Sequence, residues 1–181
     1  MFTETPRLLL RDLTRNDFDA LHAISSDPEV FRMNDFVPAD KAHLREWLQD
    51  PPPADDDTPP SGAMWAIVLK STNEMIGWIG FGPPGDPRLG DLDFGYALNR
   101  AYWNQGYMTE AVRGMLAYCF DVIKAQKIAA SHRDDNPASG RVMQKVGMRP
   151  FDEMTREMAN GDVYYIITHN MWRDADPKGL E

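Results

Sequence analysis

Met108, Ala111, Val112, Met115, Leu116, Cys119, Phe120 and Ile123 recur at three- and four-residue steps, which winds them into the apolar stripe of one amphipathic helix. The run from Asp93 to Leu98 before it reads as an apolar strand, joined to the helix by a short loop that ends in Gly106. Lys127 to His132 reads as a second strand. A shorter helix over Pro137 to Val146 follows, because Asn136 is a natural N-cap, Pro137 suits the first helical position and Gly147 suits the C-cap. Strand, helix, strand and helix then form one βαβα unit with a right-handed crossover, which brings both helix starts to the same edge of a sheet.

Around this unit the pattern is weaker. Arg7 to Asp12 reads as the first strand, followed by helices over about Asn16 to Ser26 and Ala39 to Leu48. Trp65 to Lys70 and Met75 to Gly82 form a hairpin around Ser71 to Glu74, and Pro83 to Pro87 marks a loop. Arg149 to Met158 and Val163 to Met171 flank Asn160-Gly161, a pair that tolerates positive φ, and so read as two strands of another hairpin. The Pro-rich, acidic segment 50–63 has little apolar surface to bury and is expected to be a mobile loop, or more sharply a flap over an acceptor site. Arg173 to Glu181 is a polar tail expected to fray.

A chain of 181 residues, 43% of them hydrophobic, suits one domain over 1–181 with a proper core. No apolar run approaches the roughly 20 residues that span a bilayer, and no basic segment followed by an apolar one opens the chain, so a cytoplasmic protein without membrane contact is expected. The single cysteine, Cys119, lies on the helix stripe and reads as a core thiol. Lys and Arg total 19 against 28 Asp and Glu, a net charge of −9. That balance argues against a nucleic-acid partner and leaves any anionic ligand to local amides and a few nearby cations. It also favours cationic substrates such as amines.

The first turn of a helix carries backbone N–H groups without intrahelical partners and partial positive charge, so the start after Gly106 can hold a phosphate. Gly106, lacking a Cβ, lets the backbone come close to it. Gly95-Tyr96, the run Tyr102-Trp103-Asn104-Gln105-Gly106-Tyr107-Met108-Thr109-Glu110-Ala111, and Asn136-Pro137-Ala138-Ser139 followed by Val142 to Met148 together resemble the GNAT superfamily of acyl-CoA-dependent N-acetyltransferases. Thr5 to Arg11 and Asp17 to Leu21 resemble the opening of its RimJ/RimL branch. Against the superfamily's general Q/R-x-x-G-x-G/A loop, Trp103 replaces the Gln or Arg, as is usual in that branch, and Met108 replaces the last small residue.

The resemblance implies a mixed, mostly antiparallel α/β sheet flanked by helices, with two parallel central strands that splay apart. It implies acetyl-CoA as cosubstrate, no metal, and an acceptor that is a protein N-terminus or a small-molecule amine, bound by a monomer or homodimer. In that picture Tyr96, Ala97 and Leu98 offer backbone to the pantetheine arm. Trp103, Asn104 and the amides of Gln105, Gly106, Tyr107, Met108 and Thr109 form the pyrophosphate loop. Asn136 binds pantetheine or only caps its helix, and Arg141 or Lys145 reaches the outer phosphate or belongs to a solvated helix face. Asp93 is the first candidate for general base through a water, with Asp91 in reserve. Its ordinary pKa of about 3.9 needs burial or a water relay for that work. Ser139 is the candidate proton donor to the thiolate, or a support of its helix start. Tyr96 orients substrate or belongs to the core. Glu110 reads as structural, favouring the helix dipole. His22, His43 and His169 show no metal-ligand spacing, and His132 reads as a polar strand end. A rival of another class is a non-catalytic acyl-CoA-binding module, which keeps the Gly106 loop and needs no base.

Overall fold

The computed structural model describes residues 2–33, 37, 40–48 and 62–175. Its strands are β1 (Phe2–Glu4), β2 (Leu8–Asp12), β3 (Ala63–Leu69), β4 (Glu74–Gly82), β5 (Leu92–Leu98), β6 (Lys127–Arg133), β7 (Arg149–Pro150) and β8 (Asp162–Thr168). They form one sheet in the order β1-β2-β3-β4-β5-β6-β8-β7. Every neighbouring pair is antiparallel except β5 and β6. The helices are α1 (Phe18–Ser25), α2 (Pro28–Met33), α3 (Lys41–Trp47), α4 (Tyr107–Asp121), α5 (Pro137–Lys145), α6 (Asp152–Met158) and α7 (His169–Ala175).

Alternation along the strands divides the core by face. Leu8, Leu10, Trp65, Ile67, Ile79, Phe94, Leu98 and Ile128 turn to the face covered by α4 and α5, where Met115, Leu116, Cys119 and Phe120 meet them. Ala66, Val68, Trp78 and Ala97 turn to the other face, against Leu21, Ile24, Val30 and Leu44 of the early helices. The stripe from Met108 to Phe120 is buried as its periodicity predicts, while Ile123 lies past the helix end and packs against the same cluster. Burying each of its larger side chains contributes about 1.5–3 kcal/mol, which is what holds α4 on the sheet. Burial also pushes the Cys119 thiol up to about 12, so this cysteine is a core side chain and no nucleophile.

The hairpin of β3 and β4, the strands β5 and β6 and the helices α4 and α5 agree with the sequence reading to within a residue or two. Three stretches differ. Residues 152–158 form a helix, α6, where a strand was expected: Asp152 and Glu153 suit a first turn, Met154 is its buried residue, and Phe151 O accepts from the Thr155 N–H. The left-handed residues there are Ala159, which ends that helix, and Gly161, so the turn is a helix terminus and not a two-residue strand turn. The last strand stops at Thr168, whose hydroxyl accepts from the Met171 N–H at 3.3 Å and opens α7. Arg173 therefore belongs to a helix, and the rest of the expected tail, 176–181, lies outside the described residues. So does the expected loop up to residue 61, while Ala63 already opens β3. Two short elements, β1 and α2, carried too few residues to show a period.

Candidate functional site

The parallel pair is short. β5 and β6 are in register only at Leu92 with Ile128 and Asp93 with Ala129. Beyond that point β5 follows β4, through Tyr96 with Ile79 and Ala97 with Trp78, while β6 follows β8, through Ser131 with Tyr164 and His132 with Val163. The strands part like a fork, and the β5–β6 ladder does not continue past Asp93 and Ala129. A cleft of about 400 Å³ fills the fork.

Its walls are the residues after the fork and the two helix starts, so the expectation that both starts share one rim is met. Tyr96, Ala97, Leu98, Trp103, Asn104, Gly106, Tyr107, Met108 and Thr109 line it from the β5–α4 side, and Ser131, His132, Asn136, Ser139, Arg141 and Lys145 from the β6–α5 side. Val30 and Met33 of α2 also line it. They are residues the hydrophobic pattern did not single out, although Asp27-Pro28 is a readable helix start, with Asp27 Oδ1 accepting from the Glu29 N–H. Ion pairs tie this corner to both banks, Arg100 to Asp27 at 3.1 Å and Arg32 to Asp135 at 3.0 Å.

The loop before α4 is shaped for close approach of a ligand. Asn104 and Gly106 adopt left-handed φ of 60° and 81°, and the Trp103 indole N–H donates to the Leu98 carbonyl at 2.8 Å, closing the loop on the end of β5. Among the described residues, a Cβ on Gly106 would meet Arg7 alone, at 3.5 Å, beyond its chain neighbours. The Gln105 side chain turns away to the Ala101 carbonyl, at 3.0 Å, so only the backbone of Gln105 serves the loop. Asn136 caps α5, its Oδ1 accepting from the Ser139 N–H at 3.4 Å. The His132 Nδ1–H donates to the Arg133 carbonyl at 2.6 Å. Its other ring nitrogen lies 2.6 Å from where a Cβ of Gly140 would stand, so α5 seats on this ring only because residue 140 is glycine.

Two predicted chemical groups meet here. The Tyr96 hydroxyl lies 2.7 Å from Ser139 Oγ, across the fork. Burial pushes the Tyr96 phenol well above its ordinary range, outweighing the opposing hydrogen bond from Ser139, so it stays protonated. Asp93 stands at the crotch of the fork, at the last paired position, with Gly82 on one side and Ala129 on the other. It is half-buried, and desolvation raises its carboxyl above the usual range. Asp91, the reserve candidate, is committed elsewhere: its carboxylate accepts from the backbone N–H groups of Gln126 and Lys127 at 2.6 and 3.1 Å and fixes the start of β6.

The sequence pattern of the acetyltransferase (GNAT) domain family matches residues 7–149. The chain belongs to this GNAT family. An N-acetyltransferase of Bacillus licheniformis, p20, whose activity is described as uncharacterized, is 30% identical over 148 residues, covering 80% of each chain. The FsC-acetyl coenzyme A-N(2)-transacetylase of Aspergillus fumigatus is 24% identical over 185 residues, covering 93% of this chain and 76% of its own. The crystal structure of a GNAT acetyltransferase from Bacillus anthracis superposes with a TM-score of 0.75 at 26% identity, over 94% of this chain and 99% of that one. GNAT acetyltransferases use acetyl-CoA. Among the described residues no helix is long and apolar enough to cross a membrane.

Proposed function

We propose that residues 1–181 act as one domain that transfers an acetyl group from acetyl-CoA to a primary amine by direct attack in a ternary complex, in the manner of the RimJ/RimL branch. The observation that carries this reading is the fork itself: β5 and β6 diverge between two helix N-termini, with the Tyr96–Ser139 pair 2.7 Å apart inside the same gap. The N–H groups of Gly106 to Thr109 hold the pyrophosphate. The pantetheine arm runs along the β5 backbone at Tyr96, Ala97 and Leu98, aided by Asn136, and Arg141 or Lys145 meets the outer phosphate. Acetyl-CoA supplies the thioester that gives up its acyl group.

The chain's residues then handle protons and position. Asp93, raised by burial, takes the proton of the incoming amine through a water. The Tyr96 hydroxyl and Ser139 Oγ, 2.7 Å apart, share a hydrogen bond that either can donate; with Tyr96 as its donor, the Ser139 hydroxyl is left to donate to the departing sulfur. The acceptor is a protein N-terminus or a small-molecule amine. Holding both reactants together supplies much of the acceleration without a covalent enzyme intermediate.

The test is thiol release from acetyl-CoA across a panel of peptide N-termini, polyamines, aminoglycosides and amino acids. Amine-dependent release is expected, falling at least about tenfold in the Ser139→Ala variant, as loss of a proton donor implies. CoA binding without release on any amine would favour an acyl-CoA-binding module instead. Full activity of Ser139→Ala on the best amine would remove Ser139 from the chemistry.

A further inference from the structure

Arg7 stands outside the cleft lining, behind the Gly106 loop, and grips that loop at two places. Its Nη1 donates to the Gln105 carbonyl at 3.1 Å, and its Nε donates to the Glu110 carboxylate at 2.6 Å. The guanidinium lies over the Tyr107 ring at 4.3 Å, and its Nη2 is the atom nearest the position of a Gly106 Cβ. Glu110 answers from the first turn of α4: its other carboxylate oxygen accepts from the Arg7 backbone N–H at 2.7 Å and from the Thr5 hydroxyl at 2.6 Å. Burial pushes this carboxyl up, but the bonds from Thr5 and Arg7 outweigh it and hold it below its ordinary value, so it is a carboxylate at neutral pH. The segment joining β1 to β2 is thereby clamped across the start of α4, on both sides of the left-handed Gly106.

This clamp bears on the opposite side of the loop. In a trans peptide the carbonyl and the following N–H point in opposite directions. Pinning the Gln105 oxygen toward Arg7 therefore turns the Gly106 N–H away from Arg7, to the side on which Gly106 and Tyr107 line the cleft. Charge adds a second effect. Glu110 places a carboxylate within one turn of the helix start that is to receive an anion, and Arg7 is the cation bonded to it.

We propose that Arg7 is a positioning residue for the phosphate end of the cleft, fixing the Gln105–Gly106 peptide from behind and cancelling the Glu110 charge beside the bound phosphates. This rests on the acetyl-CoA reading above. It extends that reading to a residue about a hundred positions away that touches neither the thioester nor the amine.

The experiment is titration of the full-length chain with CoA and with pantetheine, which lacks the phosphates, beside the kinetics with acetyl-CoA. Arg7→Ala is expected to weaken CoA binding about tenfold or more, the loss of charge-assisted bonds expressed as affinity, and to leave pantetheine binding within about twofold. The KM for acetyl-CoA rises while kcat at saturation holds. Arg7→Lys, which keeps the charge without the two-pronged fork, falls between. Adding Glu110→Gln to Arg7→Ala restores part of the CoA affinity, because the uncompensated carboxylate is gone. Equal weakening of both ligands, or of neither, overturns the proposal. Should Arg7→Ala fail to fold, Arg7→Lys carries the same comparison of the two ligands. Wild-type chain that takes up no CoA overturns the acetyl-CoA reading itself, a result visible before any variant is made.

Discussion

Replacing Asp93 by asparagine is expected to lower acetyl transfer by about a hundredfold or more at neutral pH, from the lower end of what a positioned general base supplies upward, with CoA affinity little changed. Asparagine keeps the size and the place at the crotch of the fork but cannot take a proton. Asp93 sits outside the lining of the cleft while the helix starts do the holding, which is why binding and rate separate. The loss grows with the basicity of the acceptor. Freeing an α-amino group of its proton at pH 7 costs on the order of 1.4 kcal/mol, against about 4.6 for a lysine side chain, from reference pKa values of about 8 and 10.4. Since desolvation raises the Asp93 carboxyl above its ordinary range, the base form is lost as pH falls at a higher pH than for an exposed aspartate. A wild-type rate profile with an acid limb above the ordinary carboxylate range, absent in Asp93→Asn, is the signature. An unchanged limb in the variant would assign the proton to another group.

Gly106→Val is the second large effect, and it acts on binding. The residue holds φ at 81°, which a β-branched side chain adopts only at a cost of about 1–2 kcal/mol. The loop relieves that strain by turning the peptide that presents its N–H groups. Loss of one or two such bonds to phosphate adds to it, so CoA affinity is expected to fall about 30-fold or more. Gly106 is exposed, and the core stripe of α4 starts at Met108, so the melting temperature should move little. Calorimetry with CoA and a thermal melt on the same preparation decide the matter. A large drop in melting temperature with affinity intact would make Gly106 a folding residue only.

The parts of this fold that can be read from the chain are those where several local signals agree. α4 carries seven positions of a stripe that only a helix can bury together, and α5 has an Asn136 cap, a Pro137 start and a left-handed Gly147 past its end. These fix the two helix starts and therefore the rim of the cleft. The forking of β5 from β6 came from resemblance, because nothing in either run of residues says where pairing stops. What escaped notice depended on distant contacts. Residues 152–158 have one buried anchor, Met154, against Leu89, Ala129 and Tyr164. Seven residues with a single anchor fit a strand as readily as a helix until that packing is known. Arg7 reads as the first residue of a strand, and its tie to Glu110 crosses about a hundred residues. Asp91 and Asp93 look alike as neighbours in one acidic run, yet one is spent on two backbone amides and the other stands at the fork.

The central claim is that an acyl-CoA lies in the fork between two helix starts. Mapping backbone amide shifts of the full-length chain during titration with CoA tests it most directly. The account predicts saturable shifts concentrated at Gly106 to Thr109, along Tyr96 to Leu98 and over Asn136 to Lys145. Absence of binding, or saturable shifts confined to another surface, would contradict it.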